Sequence, residues 1–493
     1  MKLTLFHHFT VSSHALRSPS LWLPSPNTKL THYSLLLLTM PKNRSDQPNV
    51  IVFFTDQQRW DSTGVHGNPL DLTPNFDRMA QNGTHVQHSI TCQPVCGPAR
   101  SCLQTGLYAT TTGCFRNGIP LPKDTPTLAH HFKDAGYTTG YIGKWHLAEN
   151  DQVGGVKPED RGGYDYWLAS NILEFTSDAY QTRLFDNDEK PVDLPGYRVD
   201  ACNDAIIRYV DEHQNEPFFL FTSFIEPHHQ NHIDDYPPPD GYRERYAGRW
   251  TPPDLAALGG TSQQHLGGYW GMVKRLDEAL GRLNDALKSL GLLENTIVLF
   301  TSDHACHFKT RNSEYKRSCH ESAVRVPTAF QGPGFDAGGR LQEMISLIDL
   351  PPTLLDAAGI DVPEEMQGRS IMPLINGTAE DWPEEAFIQI SEAQVGRAVR
   401  TKRWKYAVDA PEKSGGKDAG SDVYVEQYLY DLQCDPYELC NLIEQGSHRI
   451  VADTMKERLI RRMVEAGESA PTIENAPSKG SGQRKVSEEE ARM

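Results

Sequence analysis

From residue 49 onward, short uninterrupted apolar runs alternate with longer stretches in which apolar residues recur at helical spacing. The apolar runs have the length of buried strands and lie at residues 50–54, 137–142, 218–221 and 297–300. Helical stretches lie at residues 200–213 and 264–290, and two more helices are predicted after the Thr-Pro pairs at 73–74 and 125–126. This alternation predicts an α/β fold with a large, mainly parallel central sheet covered by helices.

After about residue 375 the segments become shorter. Apolar segments at 398–408 and 428–432 flank a polar stretch at 413–421, and a helical pattern follows at 450–466. We therefore predict a catalytic domain at residues 46–376, a C-terminal antiparallel-sheet subdomain at 377–468 and a frayed polar tail at 469–493. The Pro- and Gly-rich interval 236–260 is expected to be a surface excursion near the site.

Residues 1–45 are rich in Ser, His, Pro and Leu and show no periodicity. We expect a disordered extension, and a mis-assigned start with Met40 as the first residue is the main alternative. The apolar run 35–38 is too short for a membrane helix and too far from Met1 for an ordinary signal peptide, although an atypical export signal stays open. Localisation is thus open between cytoplasm and periplasm.

Composition excludes several classes of function. A formal net charge of -17 opposes non-specific binding to nucleic acid or to an anionic membrane surface. A mean hydropathy of -0.54 argues against a membrane span. Nine cysteines, an odd number, do not describe a disulfide scaffold in a chain of this size, so mostly reduced thiols are expected.

Reactive side chains follow four of the predicted strands. Each alone is more typical of a helix cap or a satisfied histidine, but parallel strands present their carboxyl ends at one edge, so we expect the four sets to converge. Two carboxylates, an amide and an imidazole suit Ca²⁺ or Mg²⁺, or Mn²⁺, better than zinc. The four sets are Asp56 with Gln57, Lys144 with His146, Glu226 with His228, and Asp303 with His304.

The segment Cys96-Gly-Pro-Ala-Arg-Ser-Cys-Leu-Gln-Thr-Gly106 is the most specific motif in the chain. An isolated segment of this kind would be a loop-to-helix turn with a buried structural thiol. Together with the strand-end residues, it resembles the signature of the formylglycine-dependent (type I) sulfatases, in which the first cysteine, here Cys96, is oxidised to formylglycine. The resemblance extends over residues 48–442 through Gly143-Lys-Trp-His-Leu147, Thr301-Ser-Asp-His304, Arg325-Val-Pro327 and Leu429-Tyr-Asp-Leu432.

Membership of that family implies an alkaline phosphatase-like sandwich, one divalent metal with calcium as the first choice, and a formylglycine-generating enzyme as maturation partner. The resemblance implies metal ligands at Asp56, Gln57, Asp303, His304 and the modified Cys96. It implies that Asp303 helps to deprotonate the nucleophile and that Arg100 and Lys144 orient it. It further implies that His146 assists elimination and that His228 and Lys316 bind sulfate and protonate the leaving oxygen.

Several positions depart from the common family pattern. Gln57 stands where many relatives carry Asp, and His304 where many carry Asn, which reduces the ligand charge and brings the site closer to phosphonate monoester hydrolases. Lys309 competes with Lys316, and His229 with His228, for the assigned roles. His229 and His320 are predicted to contact the substrate.

The resulting prediction is a sulfatase acting on sulfated carbohydrates, most simply oligosaccharides of a sulfated polysaccharide. Aromatic residues in the interval 234–250 could stack on sugars. The alternatives are a phosphonate or phosphate monoester hydrolase of the same superfamily and a non-catalytic binder of sulfated glycans.

Overall fold

The computed structural model describes residues 47–149, 152–480, 482 and 484–493. A ten-stranded sheet, in the spatial order β10-β2-β9-β8-β1-β7-β3-β4-β5-β6, lies at the centre of the fold. Its strands are β1 (Asn49–Thr55), β2 (Thr84–Ile90), β3 (Thr138–Lys144), β4 (Tyr166–Ser170), β5 (Thr182–Phe185), β6 (Pro191–Leu194), β7 (Phe218–Ser223), β8 (Thr296–Ser302), β9 (Thr328–Gln331) and β10 (Gly339–Ser346).

The middle of this sheet is parallel, as the sequence predicts. The five neighbours β8, β1, β7, β3 and β4 all pair in parallel, and so do β10 and β2. Antiparallel pairs occur around β9 and at the edge formed by β5 and β6. The short edge strands are additions that the sequence pattern did not reveal, because they lack a continuous apolar run.

Helices cover both faces of the large sheet. Alternate residues of β1 enter opposite cores: Val50 and Phe54 pack on one side, Ile51 and Phe53 on the other. The helices in the described residues are α1 (Pro74–Asn82), α2 (Cys96–Thr105), α3 (Ala109–Thr112), α4 (Leu128–Asp134), α5 (Arg198–Glu212), α6 (Tyr242–Tyr246), α7 (Pro253–Ala257), α8 (Ser262–Ser289), α9 (Glu321–Val324), α10 (Leu350–Ala357), α11 (Met372–Ile375), α12 (Arg449–Glu465) and α13 (Glu488–Arg492).

A second, smaller sheet follows, and its first four strands are antiparallel as predicted. The predicted segment 398–408 is corrected, because a turn at residues 401–403 divides it into two strands. The strands are β11 (Ala386–Ile390), β12 (Gly396–Arg400), β13 (Trp404–Asp409), β14 (Val423–Asp431) and β15 (Thr472–Glu474).

The prediction of a frayed tail from residue 469 is wrong for much of that segment. β15 pairs in parallel with β14, and α13 places Ala491 in the core, where it is 1% exposed. The Trp404 indole also donates a 2.9 Å hydrogen bond to the carbonyl of Glu490. Side-chain burial therefore orders a segment whose overall composition is polar.

One apolar core cluster contains residues of both sheets, such as Val52 and Trp404. The boundary between residues 376 and 377 therefore stays a prediction. The predicted extension 1–45 lies outside the described residues. Within the described ranges, none of the helices combines the length and the apolar character that a membrane span requires. All nine cysteines are free, as expected.

Candidate active site

Parallel strands bring the predicted polar residues to one edge of the large sheet. Asp56, Lys144 and Asp303 lie at or just beyond the carboxyl ends of β1, β3 and β8, and His228 follows β7. Cys96 is the first residue of α2, and it lies over the same edge. The expected convergence of strand ends is confirmed for these side chains.

Two carboxylates, a thiol and an imidazole form the centre of the site. Ligand atoms of Asp56, Cys96, Asp303 and His304 all lie within 4.8 Å of one another, and all four side chains are buried. His304 Nε2 is 3.6 Å from Asp56 Oδ1 and 3.5 Å from Asp303 Oδ1. The backbone N–H groups of Gln57 and His304 both donate to Asp303 Oδ1, which fixes that carboxylate.

The two carboxyl groups have pKa values shifted in opposite directions. Burial, followed by the charge of Asp56, raises the pKa of Asp303. Burial also raises that of Asp56, but Lys144, His228 and Arg100 outweigh it, so the net pKa of Asp56 is lowered. One of these two buried carboxyl groups thus favours a proton. A divalent cation bound between them would supply positive charge in place of that proton.

Gln57 supplies the observation that best tests the fit of a metal. Its backbone has a positive φ of 69°, and its Nε2 donates to Tyr236 Oη at 3.2 Å and to Cys306 Sγ at 3.1 Å. Its Oε1 is buried and has no hydrogen-bond partner among the described residues. This unpaired hard oxygen belongs to the residue whose backbone N–H holds Asp303, so with the two carboxylates and the imidazole it gives a donor set that fits Ca²⁺, Mg²⁺ or Mn²⁺.

Arg100 and Lys144 hold Asp56 from the other side. Arg100 Nη2 and Lys144 Nζ each lie 2.9 Å from Asp56 Oδ2. Arg100 Nη1 also donates to the Lys144 carbonyl at 2.9 Å and to Ser223 Oγ at 2.7 Å. These bonds join α2 to two strand ends and fix the direction of both cations.

Cations and imidazoles surround the Cys96 sulfur. Lys316 Nζ lies 2.7 Å from Cys96 Sγ, and it also lies 3.0 Å from His304 Nε2 and 3.4 Å from His228 Nε2. Burial raises the pKa of Cys96, but Lys144, Lys316 and His304 lower it more, and a hydrogen bond from His146 adds to this, so the net pKa is well below the ordinary value. The position therefore favours a negatively charged or oxygen-rich side chain.

The structure distinguishes the two candidate lysines, Lys316 and Lys309, and the two candidate histidines, His228 and His229, by their contacts. Lys316 reaches the sulfur, whereas Lys309 Nζ lies 4.8 Å from the centre of the Tyr315 ring. His228 lies beside Lys316, whereas His229 Nε2 contacts Asp234 Oδ1 at 2.9 Å and Tyr315 Oη at 3.0 Å. His229 is therefore connected to the cluster only indirectly: it contacts Tyr315, which directly precedes Lys316 in the chain.

Two predicted polar residues lie apart from the central cluster. The nitrogens of His320 contact Ser318 Oγ and Tyr430 Oη, each at 3.1 Å, which directs this ring towards the C-terminal sheet. Glu226 forms an ion pair with Arg198 at 2.8 Å, so it has a structural role although it follows β7.

Sequence reasoning missed Glu174, which contacts the site directly. Its Oε1 lies 3.2 Å from Lys144 Nζ, in a short 3₁₀ helix (Leu173–Phe175) shortly after β4. The signal was available, since β4 is parallel to β3 and ends at the same edge of the sheet. The apolar pattern of β4 was too short to identify it as a strand.

Comparisons with known proteins agree with this geometry. The family model described as sulfatase matches residues 48–360, and the model described as N-sulphoglucosamine sulphohydrolase, C-terminal, matches residues 314–465. An ulvan-active sulfatase of Formosa agariphila is 29% identical over 439 residues, covering 86% of this chain and 82% of the relative. An N-acetylglucosamine-6-O-sulfatase of Bacteroides thetaiotaomicron is 25% identical over 508 residues, covering 86% and 88%.

The crystal structure described as that of the putative sulfatase yidJ from Bacteroides fragilis superposes with a TM-score of 0.76 at 25% identity, covering 87% of this chain and 98% of that one. This chain therefore has the alkaline phosphatase-like α/β sandwich fold that the sequence predicts. With the sulfatase model matching well over half of the chain, this protein belongs to the formylglycine-dependent sulfatase family of sulfuric ester hydrolases.

Proposed function

We propose that this enzyme removes sulfate from sulfated carbohydrates, with a modified Cys96 as the nucleophile. The observation that carries the proposal is the contact of Lys316 Nζ with Cys96 Sγ, opposite the buried carboxylates Asp56 and Asp303. Such a site can neutralise the oxygens of a sulfate ester while it activates a group at position 96. The carbohydrate substrate is supported by the ulvan-active and N-acetylglucosamine-6-O-sulfatases among the relatives.

We propose that Asp56, Gln57, Asp303 and His304 hold one divalent cation, Ca²⁺ in the first instance, together with the side chain at position 96. The donors are hard oxygens and one imidazole, and they leave no thiolate pair that would favour zinc. Such a cation polarises sulfate oxygens. In its hydrated form, formylglycine supplies two hydroxyls on one carbon, one that attacks sulfur and one whose deprotonation expels the sulfate.

The roles proposed for the surrounding residues follow from their contacts. Asp303 accepts the proton of the attacking hydroxyl, since its ligand oxygen lies within 4.8 Å of the Cys96 sulfur and its Oδ1 is held by two backbone N–H groups. Arg100 and Lys144 orient the nucleophile through Asp56, and His146 takes the proton of the second hydroxyl. His228 and Lys316 bind the sulfate oxygens, and His228 protonates the leaving alcohol.

His229 and His320 stay predictions as substrate-binding residues. His229 contacts Tyr315, which is next to Lys316 in the chain. His320 contacts Tyr430, so it would bind the substrate only if the substrate approached the C-terminal sheet. Substituting each by Ala and measuring KM for a sulfated oligosaccharide would test both. We expect a rise in KM for each variant, and an unchanged KM would remove that residue from the predicted substrate site.

The decisive experiment is a desulfation screen of defined sulfated mono- and oligosaccharides, with products identified by NMR and a phosphonate monoester tested beside them. We expect sulfate release from at least one sulfated sugar and poor turnover of the phosphonate. The reverse result would establish the phosphonate monoester hydrolase alternative. A protein that binds sulfated glycans without releasing sulfate would support the binder alternative.

Maturation is tested separately. Protein co-expressed with a formylglycine-generating enzyme should show, by mass spectrometry of the peptide containing Cys96, the conversion of the thiol to an aldehyde. Cys96→Ala should abolish turnover. An unmodified Cys96 in active enzyme would exclude the covalent mechanism.

A further inference from the structure

A cavity of about 750 Å³ opens beside Glu174 and has no part in the mechanism above. Glu174 connects the cavity to the reaction centre, since its Oε1 lies 3.2 Å from Lys144 Nζ and that nitrogen lies 4.0 Å from Cys96 Sγ. The cavity is therefore two side chains away from the nucleophile. Its walls include Glu174, Phe175, Tyr180, Arg183, Asp193 and His232.

Glu174 presents an unsatisfied acceptor. The residue is only 6% exposed, and its Oε2 has no hydrogen-bond partner among the described residues. Burial raises the pKa of Glu174, but Lys144, His228 and His146 lower it to about 2, so the group is a carboxylate at neutral pH. The cavity therefore has an ionised carboxylate in the wall that separates it from Lys144.

Two aromatic rings face solvent at this cavity. Phe175 is 58% exposed and Tyr180 is 47% exposed, which is unusual for side chains of this size. Tyr180 is held in place, because its ring packs edge-on against Tyr197 at 5.5 Å and its Oη accepts a hydrogen bond from the N–H of Asp240. Preordered aromatic faces of this kind suit the apolar C–H face of a sugar ring.

The charges around the cavity disfavour a second anion. Arg183 Nε is paired with Asp193 Oδ1 at 2.6 Å, and His232 Nε2 lies 3.0 Å from Asp178 Oδ1. The cavity is lined by three carboxylates and one guanidinium, so acidic groups predominate; these are Glu174, Asp178 and Asp193, and Arg183. No lining cation in the described residues is left without a carboxylate partner, so a sulfate or uronate here would find no free positive charge. A quaternary ammonium group would satisfy the charge but would fill only a small part of the volume.

We infer that this cavity binds the uncharged sugar ring next to the sulfated one in a glycan substrate. Phe175 and Tyr180 pack against the C–H face of that ring, and Glu174 forms the wall between the ring and Lys144. The inference rests on the proposed carbohydrate sulfatase function and adds the position and chemistry of a second subsite. Selection between glycans would then depend on a ring that does not react.

The test compares a sulfated disaccharide that has a neutral second ring with a small aryl sulfate that lacks this ring. The ratio of their kcat/KM values should fall by about tenfold or more in Phe175→Ala/Tyr180→Ala. Val423→Ala, an equally exposed apolar residue on the second sheet, should leave the ratio unchanged. A wild-type ratio in the double variant would overturn the inference, and turnover of the aryl sulfate shows that the variant is folded.

A second comparison tests the charge of the ring. With wild-type enzyme, a disaccharide whose second ring is a uronate should be hydrolysed about tenfold more slowly than its neutral counterpart. Equal or faster turnover of the uronate, or of choline sulfate, would overturn the inference. If wild-type enzyme releases sulfate from neither sugar nor aryl ester, the proposed function itself fails, and that result is distinct from both outcomes.

Discussion

Lys316 Nζ lies 2.7 Å from Cys96 Sγ, although the two residues are 220 positions apart in the chain. Cys96 begins α2, and Lys316 belongs to the loop that follows β8. Burial lowers the pKa of Lys316, but the charges of Cys96 and Asp56 raise it more, so the ammonium stays protonated. This pairing places a positive charge directly at the proposed nucleophile.

Replacing Lys316 by Met should lower kcat for a sulfate ester by about 10²-fold or more, because a charged donor to the transition state is lost. Steady-state kinetics with an aryl sulfate measures the change. Lys309→Met is the matched control, since Lys309 packs on Tyr315 and should affect kcat less than about threefold. A larger effect of Lys309→Met would reverse the assignment of the two lysines.

Removing the divalent cation should abolish turnover and lower thermal stability, since a ligand that binds only the folded state stabilises it. Elemental analysis should find about one metal ion per chain before chelation, and Ca²⁺ should restore activity better than Mg²⁺ or Mn²⁺. Asp303→Asn should lose the metal. Glu226→Gln, also at a strand end but paired with Arg198, should keep it. Full metal content in Asp303→Asn would contradict the proposed ligand set.

Glu321 is a buried link between the large sheet domain and the second sheet. It accepts ion pairs from Arg400 at 3.0 Å and from Lys405 at 2.7 Å. Glu321→Gln should lower the free energy of unfolding by about 3–5 kcal/mol, because buried Arg400 loses its carboxylate partner and buried Lys405 keeps only Glu438. Chemical denaturation measures this. Asp188→Asn, which removes an exposed pair with Lys190, should leave the free energy of unfolding nearly unchanged.

The stability of the fold should depend on pH through His85, a 3% exposed residue of β2. Burial, followed by Arg340 and Arg325, lowers the pKa of His85 from 6.5 to about 4. Below pH 6.5 the unfolded chain binds a proton that the folded protein accepts only near pH 4. His85 should therefore contribute a fall of up to about 1.4 kcal/mol in the free energy of unfolding for each pH unit between 6.5 and 4, beside the contributions of other buried histidines with lowered pKa values such as His88 and His307.

His85→Gln should flatten this part of the pH dependence. Denaturant unfolding curves between pH 4.5 and 8 provide the measurement, and the difference at pH 8 gives the cost of the substitution itself. If the wild-type and variant proteins lose stability in parallel below pH 6.5, His85 is not the group responsible.

The amino-acid sequence alone determined the fold class and the core of the site. Short continuous apolar runs that alternate with helical segments indicate buried strands, and parallel strands bring their carboxyl ends together, so Asp56, Lys144, His228 and Asp303 were expected to converge. The short motif beginning at Cys96 indicated the family, because its residues are close together in the chain.

Only the tertiary structure decided the assignments that depend on loop geometry. It placed Lys316 at the sulfur, turned His320 towards Tyr430, and brought Glu174 to Lys144. It also ordered the polar C-terminal segment through the burial of Ala491. The physical reason is the same in each case. A strand end has a position fixed by the sheet, whereas a loop side chain takes its direction from contacts with residues distant in sequence.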